Sequence, residues 1–168
     1  RLSQQKAYAE SVVVHLGYTV ETQRRPAAIA LPRKEFPNNP AIFLDHYKAP
    51  DRAPKGHSLF TLYYCPEAVA KVKAMSEDKV IADARAIIER YFPEVKGHLD
   101  MSNIHFAPYG SHLAPPGHFG MVQELYDNHA ASEPIQIGGD YLSLPSQETA
   151  VGQGNRAARR IIKGVSRG

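Results

Sequence analysis

A single cysteine, Cys65, excludes an internal disulfide and fits a reducing, cytoplasmic compartment. No apolar run approaches the roughly 18 residues of a membrane-spanning helix, and no signal pattern opens the chain. The first residue is Arg1 rather than Met, the start expected of a cleaved product or an expressed fragment. A large charge excess is lacking too: 20 basic residues face 17 acidic ones, which does not speak for a nucleic-acid partner. Internal repeats and low-complexity tracts are absent. What remains is a chain of 168 residues that is 43% hydrophobic, enough to bury a core. Its length fits one domain, or half of a two-domain protein. Cations gather near the end (Arg156, Arg159, Arg160, Lys163, Arg167), where they complement the dipole of a final helix. An anionic membrane surface is the less favoured partner for them.

Hydrophobic patterning predicts an α+β fold. Ala9–Leu16, with Val12, Val13 and Val14 at its centre, reads as a strand, as do Ala27–Leu31, Ala41–Asp45 and His57–Tyr64. Pro66 opens a short helix through about Lys73. Ser76 then caps a helix in which Val80, Ile81, Ala84, Ile87, Ile88, Tyr91 and Phe92 recur at helical spacing until Pro93 ends it. Ile104–Ala107 is a further short strand. Tyr109–Gly120, with its glycines and prolines, is expected to be largely loop, with helix resuming over Phe119–Asn128. Pro134–Ile137 reads as a strand entering Gly138-Gly139-Asp140, and Ser146 as the cap of a last helix with small residues at mid-length.

This strand, Gly-Gly-Asp and helix unit is the candidate site. A helix N-terminus offers unpaired N–H groups to an anionic or carbonyl-bearing ligand. Glycines let a backbone approach closely, and the Asp140 carboxylate accepts hydrogen bonds from sugar-like hydroxyls. A turn that merely leads into the next helix explains the same residues.

The run Ile137-Gly138-Gly139-Asp140-Tyr141, then Pro145-Ser146-Gln147-Glu148-Thr149-Ala150-Val151, then Gly154-Asn155-Arg156-Ala157-Ala158, resembles a known pattern. It is similar to the C-terminal flavin motif of the superfamily of flavin amine oxidases, protoporphyrinogen oxidases and carotenoid (phytoene) desaturases. Val12–Gly17, Ala53-Pro54-Lys55-Gly56-His57 with Leu59, Ala107-Pro108 and Pro116-Gly117 resemble other stretches of the same enzymes in the same order. The resemblance implies an FAD-dependent oxidoreductase that moves hydride from an amine, porphyrinogen or polyene-type small-molecule substrate to flavin. It implies that Asp140 contacts the ribityl–pyrophosphate part of FAD, with Gly138 and Gly139 beside it. It further implies that Ser146, Gln147 and Glu148 present a helix start to the flavin pyrimidine edge, where oriented dipoles stabilise reduced flavin.

The departures are informative. Ser146 stands where amine oxidases of the group often carry an aromatic cage residue, which weakens the case for an amine. Thr149 replaces a usual glycine. The strand–GxGxxG–helix signature for the ADP moiety is missing. Gly152-Gln153-Gly154-Asn155-Arg156-Ala157 spells GxGxxA but lies within a helical pattern, not at a strand-to-helix turn. Residues 1–130 are therefore expected to be an incomplete substrate domain built on a mostly antiparallel sheet with packed helices. Residues 131–168 are expected to be the last strand and helix of a Rossmann-like FAD-binding domain. The dinucleotide-binding segment would lie upstream or on a partner subunit, this chain alone would be inactive, and its uncovered apolar surface would favour self-association. A non-catalytic binding module or one subunit of a split flavoenzyme is the alternative. No catalytic residue is assigned. His105, His112 and His118 match no metal-binding spacing. Cys65 lacks an activating neighbourhood, and Tyr63 and Tyr64 suit either packing or a substrate cavity.

Overall fold

The computed structural model describes residues 8–22, 26–129 and 133–165. Among the described residues five strands form one antiparallel sheet: β1 (Tyr8–Tyr18), β2 (Ala28–Ala30), β3 (Ala41–Leu44), β4 (Ser58–Tyr64) and β5 (Leu99–His112). Their order is β2-β3-β4-β1-β5. The registers run Val12↔Tyr64 to Tyr18↔Ser58 between β1 and β4, and Ile42↔Leu62 to Leu44↔Phe60 between β3 and β4. Four α-helices accompany the sheet among the same residues: α1 (Val69–Lys73), α2 (Glu77–Tyr91), α3 (His118–Asn128) and α4 (Gln147–Val165). The fold is thus α+β, as the patterning predicts.

The chain divides into two compact units. One is Glu10–Pro108; the other takes in the chain from Tyr109, with Tyr8 and Ala9. The expected domain boundary at residues 130–131 lies outside the described residues, as does Arg167.

In the first unit the two-residue period of the strands decides what is buried. Val12, Val14, Leu16 and Tyr18 of β1, Phe60, Leu62 and Tyr64 of β4, and Ile42 and Leu44 of β3 form one core. The helical positions Val69, Val72, Val80, Ala84, Ile88 and Phe92 join it, so α1 and α2 cover this face. Ser76 caps α2 through its side-chain oxygen, which accepts from the Lys79 N–H at 3.4 Å, and Glu77 and Asp78 follow in the first turn. Ser76→Ala is expected to cost about 0.5–1 kcal/mol in a urea unfolding titration, the low part of the capping range, because the bond is long.

Two expectations need correction. Tyr109–Gly120 is not mostly loop: β5 runs on through Tyr109 to His112 and α3 starts at His118. Pro108 and Gly110 do not break β5 because it is an edge strand, where a missing N–H need not interrupt a ladder. Tyr109 is further held by the Tyr8 ring, edge-on with centroids 5.8 Å apart. Conversely, Pro134–Ile137 is not a strand. Its polar groups are engaged locally: the Ile135 carbonyl meets the His129 ring at 2.8 Å, and the Gln136 amide donates to the Glu133 carbonyl. Ile135 is left exposed, so the apolar signal there is not a core signal.

Candidate functional site

The candidate cofactor-binding residues Gly138, Gly139, Asp140, Ser146, Gln147 and Glu148 all lie in the second unit, around α4, whereas His105, Cys65, Tyr63 and Tyr64 lie in the first. Gly138 packs directly on that helix. A Cβ there would stand 3.2 Å from the Gln153 carbonyl oxygen and 3.3 Å from the Gly154 Cα. Gly139 has φ of +152°, a conformation side-chain-bearing residues rarely adopt, and the Tyr141 ring occupies the space its Cβ would need. Gly139 is therefore favoured by its backbone conformation, and a side chain at Gly138 would press tightly on the α4 backbone. The Gly-Gly-Asp segment is a tight corner laid against α4, followed by a 3-10 turn over Asp140–Leu142. Leu142 is buried beneath it.

Asp140 sits at the tip of this corner, half-buried, with its carbonyl accepting from the Ser143 N–H at 2.8 Å. Its carboxylate has no hydrogen bond or ion pair with the described residues, which leaves both oxygens available as acceptors. Ser146 caps α4 as expected, with Oγ accepting from the Thr149 N–H at 3.0 Å and donating to Thr149 Oγ1 at 2.8 Å. Thr149, unexpected by the resemblance, thus closes the cap reciprocally. Gln147 and Glu148 form the exposed first turn. Their N–H groups have no acceptor among the described residues, so two donors and the positive end of a 19-residue helix face outward.

Supporting this corner, the buried His118 donates its Nε2–H to the Tyr141 carbonyl at 2.8 Å. His112, also buried, has its ring 5.4 Å from that of His118. On the far part of α4, Gly152, Asn155, Arg156, Arg159, Arg160 and Lys163 line a cationic groove. The Arg156 guanidinium lies 3.5 Å from the centroid of the Tyr126 ring, and Arg160 donates to the His129 carbonyl. Gln153, between them, accepts from the Tyr126 hydroxyl at 2.7 Å. Gly152-Gln153-Gly154-Asn155-Arg156-Ala157 is helical throughout, so it is not a phosphate-binding turn.

A family profile for flavin containing amine oxidoreductase matches residues 2–162. The chain belongs to that family. Flavin-containing amine oxidoreductases are flavin-dependent oxidoreductases, and the match extends through both units described above. Among curated proteins, none matches the chain. The donor set at the α4 N-terminus suits the electron-rich edge of a flavin, which needs N–H donors and gains from a positive dipole end when reduced. No group of three or more His, Cys, Asp or Glu among the described residues is arranged to hold a metal ion. No helix among them is long and apolar enough to cross a membrane.

Sequence reading missed one constellation altogether. On the sheet face opposite α1 and α2, His15 Nδ1 meets Thr61 Oγ1 at 2.8 Å, and Thr61 Oγ1 donates in turn to Asp45 Oδ2. Lys48 Nζ closes the chain at 2.5 Å from Asp45 Oδ1. Asp45 and Thr61 are buried, while His15 is half-buried. A signal was present, since the alternation that sends Val12, Val14 and Leu16 into the core sends His15 to the other face. The partner, 46 residues away, is fixed only by the β1–β4 register.

Proposed function

We propose that this chain is the C-terminal part of an FAD-dependent oxidoreductase, with the dinucleotide-binding GxGxxG segment supplied upstream or by a partner subunit. The carrying observation is the pairing of two outward N–H donors at Gln147 and Glu148, in the first turn of α4, with the acceptor Asp140 in the corner that packs against that helix. In this reading Asp140 holds hydroxyls of the ribityl–pyrophosphate portion. Ser146 keeps the first turn of α4 in shape, and Gln147 and Glu148 present backbone N–H groups to the pyrimidine edge. Gly138 and Gly139 fix the distance between the two. When bound, FAD supplies the hydride-accepting chemistry; the chain supplies position and polarity. The exposed apolar side chains Ile135, Leu144, Val151 and Ile161 support a partner segment packing on this unit. The substrate is a small molecule, with amines, porphyrinogens and polyenes as the candidate classes. Ser146 in place of an aromatic wall argues against a caged amine.

The test is the flavin content of the protein purified from its native source, beside that of an Asp140→Ala variant. The wild type is expected to carry flavin absorbance, together with either a longer polypeptide or a second chain. The variant is expected to hold flavin about tenfold more weakly, equivalent to about 1.4 kcal/mol. A colourless single chain that stays colourless after FAD is added and desalted would instead identify a binding module.

A further inference from the structure

Four cations share the groove on α4, and the helix dipole accounts for only one of them. Lys163 stands in the last turn, where a positive charge complements the C-terminal end. That attraction fades within a turn, so it does not explain Arg156, Arg159 or Arg160. At about 100° per residue, Gly152, Asn155 and the four cations fall on one continuous face of α4, and together they line a cavity of about 420 Å³.

No carboxylate neutralises this face. The acidic residues of the second unit, Glu124, Asp127, Glu133, Asp140 and Glu148, all lie among the described residues. No ion pair among the described residues includes Arg156, Arg159, Arg160 or Lys163. Two of the arginines are instead held by neutral partners. Arg156 stands over the Tyr126 ring, whose hydroxyl is tied to Gln153, and Arg160 donates to the His129 carbonyl. A ring face and a carbonyl orient a guanidinium without cancelling its charge. Arg160 also keeps a buried Nε–H that has no acceptor among the described residues. Oriented cations without counter-charges, set around a hollow, suit an oxyanion, and the planar fork of arginine matches two oxygens of a phosphate.

The dimensions call for more than one phosphate. Arg156 and Lys163 are separated by about 10 Å along the helix axis, further than a single phosphate spans. Gly152 leaves the groove open at its other end, since a Cβ there would meet nothing within 4 Å. The volume is that of a small-molecule site, which generally occupies about 300–1,000 Å³. A flat lipid surface needs no such hollow.

We propose that this groove is a second binding site, for a soluble ligand that carries adjacent phosphate groups. The site stands apart from the flavin-dependent reading, because Arg159 follows Gln147 by about 18 Å of helix axis.

Titration calorimetry of the full protein with inorganic pyrophosphate tests the proposal. One saturable site is expected, and Arg159→Glu combined with Lys163→Glu should weaken it at least about tenfold. Helix content and unfolding midpoint should hold in that variant, since both side chains are exposed and have no ion pair to lose. Lys55→Glu, at an exposed cation of the first unit, should leave binding unchanged. Gly152→Leu keeps every charge and favours the helix, yet it fills the hollow and should also weaken binding about tenfold. An equal loss in Lys55→Glu, or full affinity in Gly152→Leu, would reduce the effect to net charge and overturn the site. A loss in Asp140→Ala would place pyrophosphate at the corner beside the α4 start and overturn it as well. Binding to vesicles of phosphatidylcholine and phosphatidylserine in equal parts, with none to pyrophosphate, would assign the cations to lipid headgroups and overturn the soluble ligand.

Discussion

Phe60→Ala is expected to lose about 3–5 kcal/mol of stability, the usual cost of removing a buried aromatic ring. Phe60 is fully buried at the middle of β4. Its ring meets Phe92 at 4.8 Å, Tyr18 at 5.6 Å and the His46 imidazole at 5.6 Å, so it joins α2's end, β1 and the segment after β3. These neighbours are set by strand register and by the end of a capped helix, and they cannot close over the vacated volume without moving both. A loss of that size is a large share of the roughly 5–15 kcal/mol that holds a domain together. The check is the midpoint of chemical denaturation, with Phe60→Leu as the milder control. A shift no greater than the ~0.5 kcal/mol of a surface change would mean that the ring is not the junction described.

Asp45→Ala is expected to cost about 1–3 kcal/mol, chiefly because the buried Thr61 hydroxyl loses its acceptor. The Lys48 ion pair contributes less, since that ammonium is partly exposed and turns readily to water. The loss should also depend on pH. Burial by itself would raise the Asp45 carboxyl, but the bonds from Lys48 and Thr61 outweigh it and hold the group below the ordinary carboxylate range. A carboxyl depressed in the folded state contributes stability that is complete above its unfolded value and disappears as pH falls through its folded one. The gap between wild type and Asp45→Ala in urea titrations should therefore stay constant from about pH 7 to about pH 5, then narrow below about pH 4. A gap that stayed constant into that acid range would show that Asp45 is not held ionised by these partners.

Much of the fold is legible in the sequence because its signals are local. Val12–Leu16, Ile42–Leu44 and Leu59–Tyr64 alternate or cluster as strands do, and Ser76 with Pro93 brackets α2 almost to the residue. Where local chemistry and context disagree, the sequence misleads. Pro108 and Gly110 look like breakers only if the strand's place at the sheet edge is unknown. Ile135 and Ile137 look like a strand, but among the described residues no strand pairs with them. The corner at Gly138–Asp140 and the cap at Ser146 are readable for the same local reasons. Register has no such signature: nothing near His15 announces Thr61 or Asp45, and the row across three strands exists only once the strands are paired.

The edge position of β5 also governs how copies of this chain can meet. Backbone-to-backbone growth needs an uninterrupted line of N–H and C=O groups on both outer strands. Pro108 removes one donor from β5, and β2, at the opposite end, offers only three residues. Strand addition is therefore interrupted at Pro108 on one edge and limited to three residues on the other, which favours assembly through side chains.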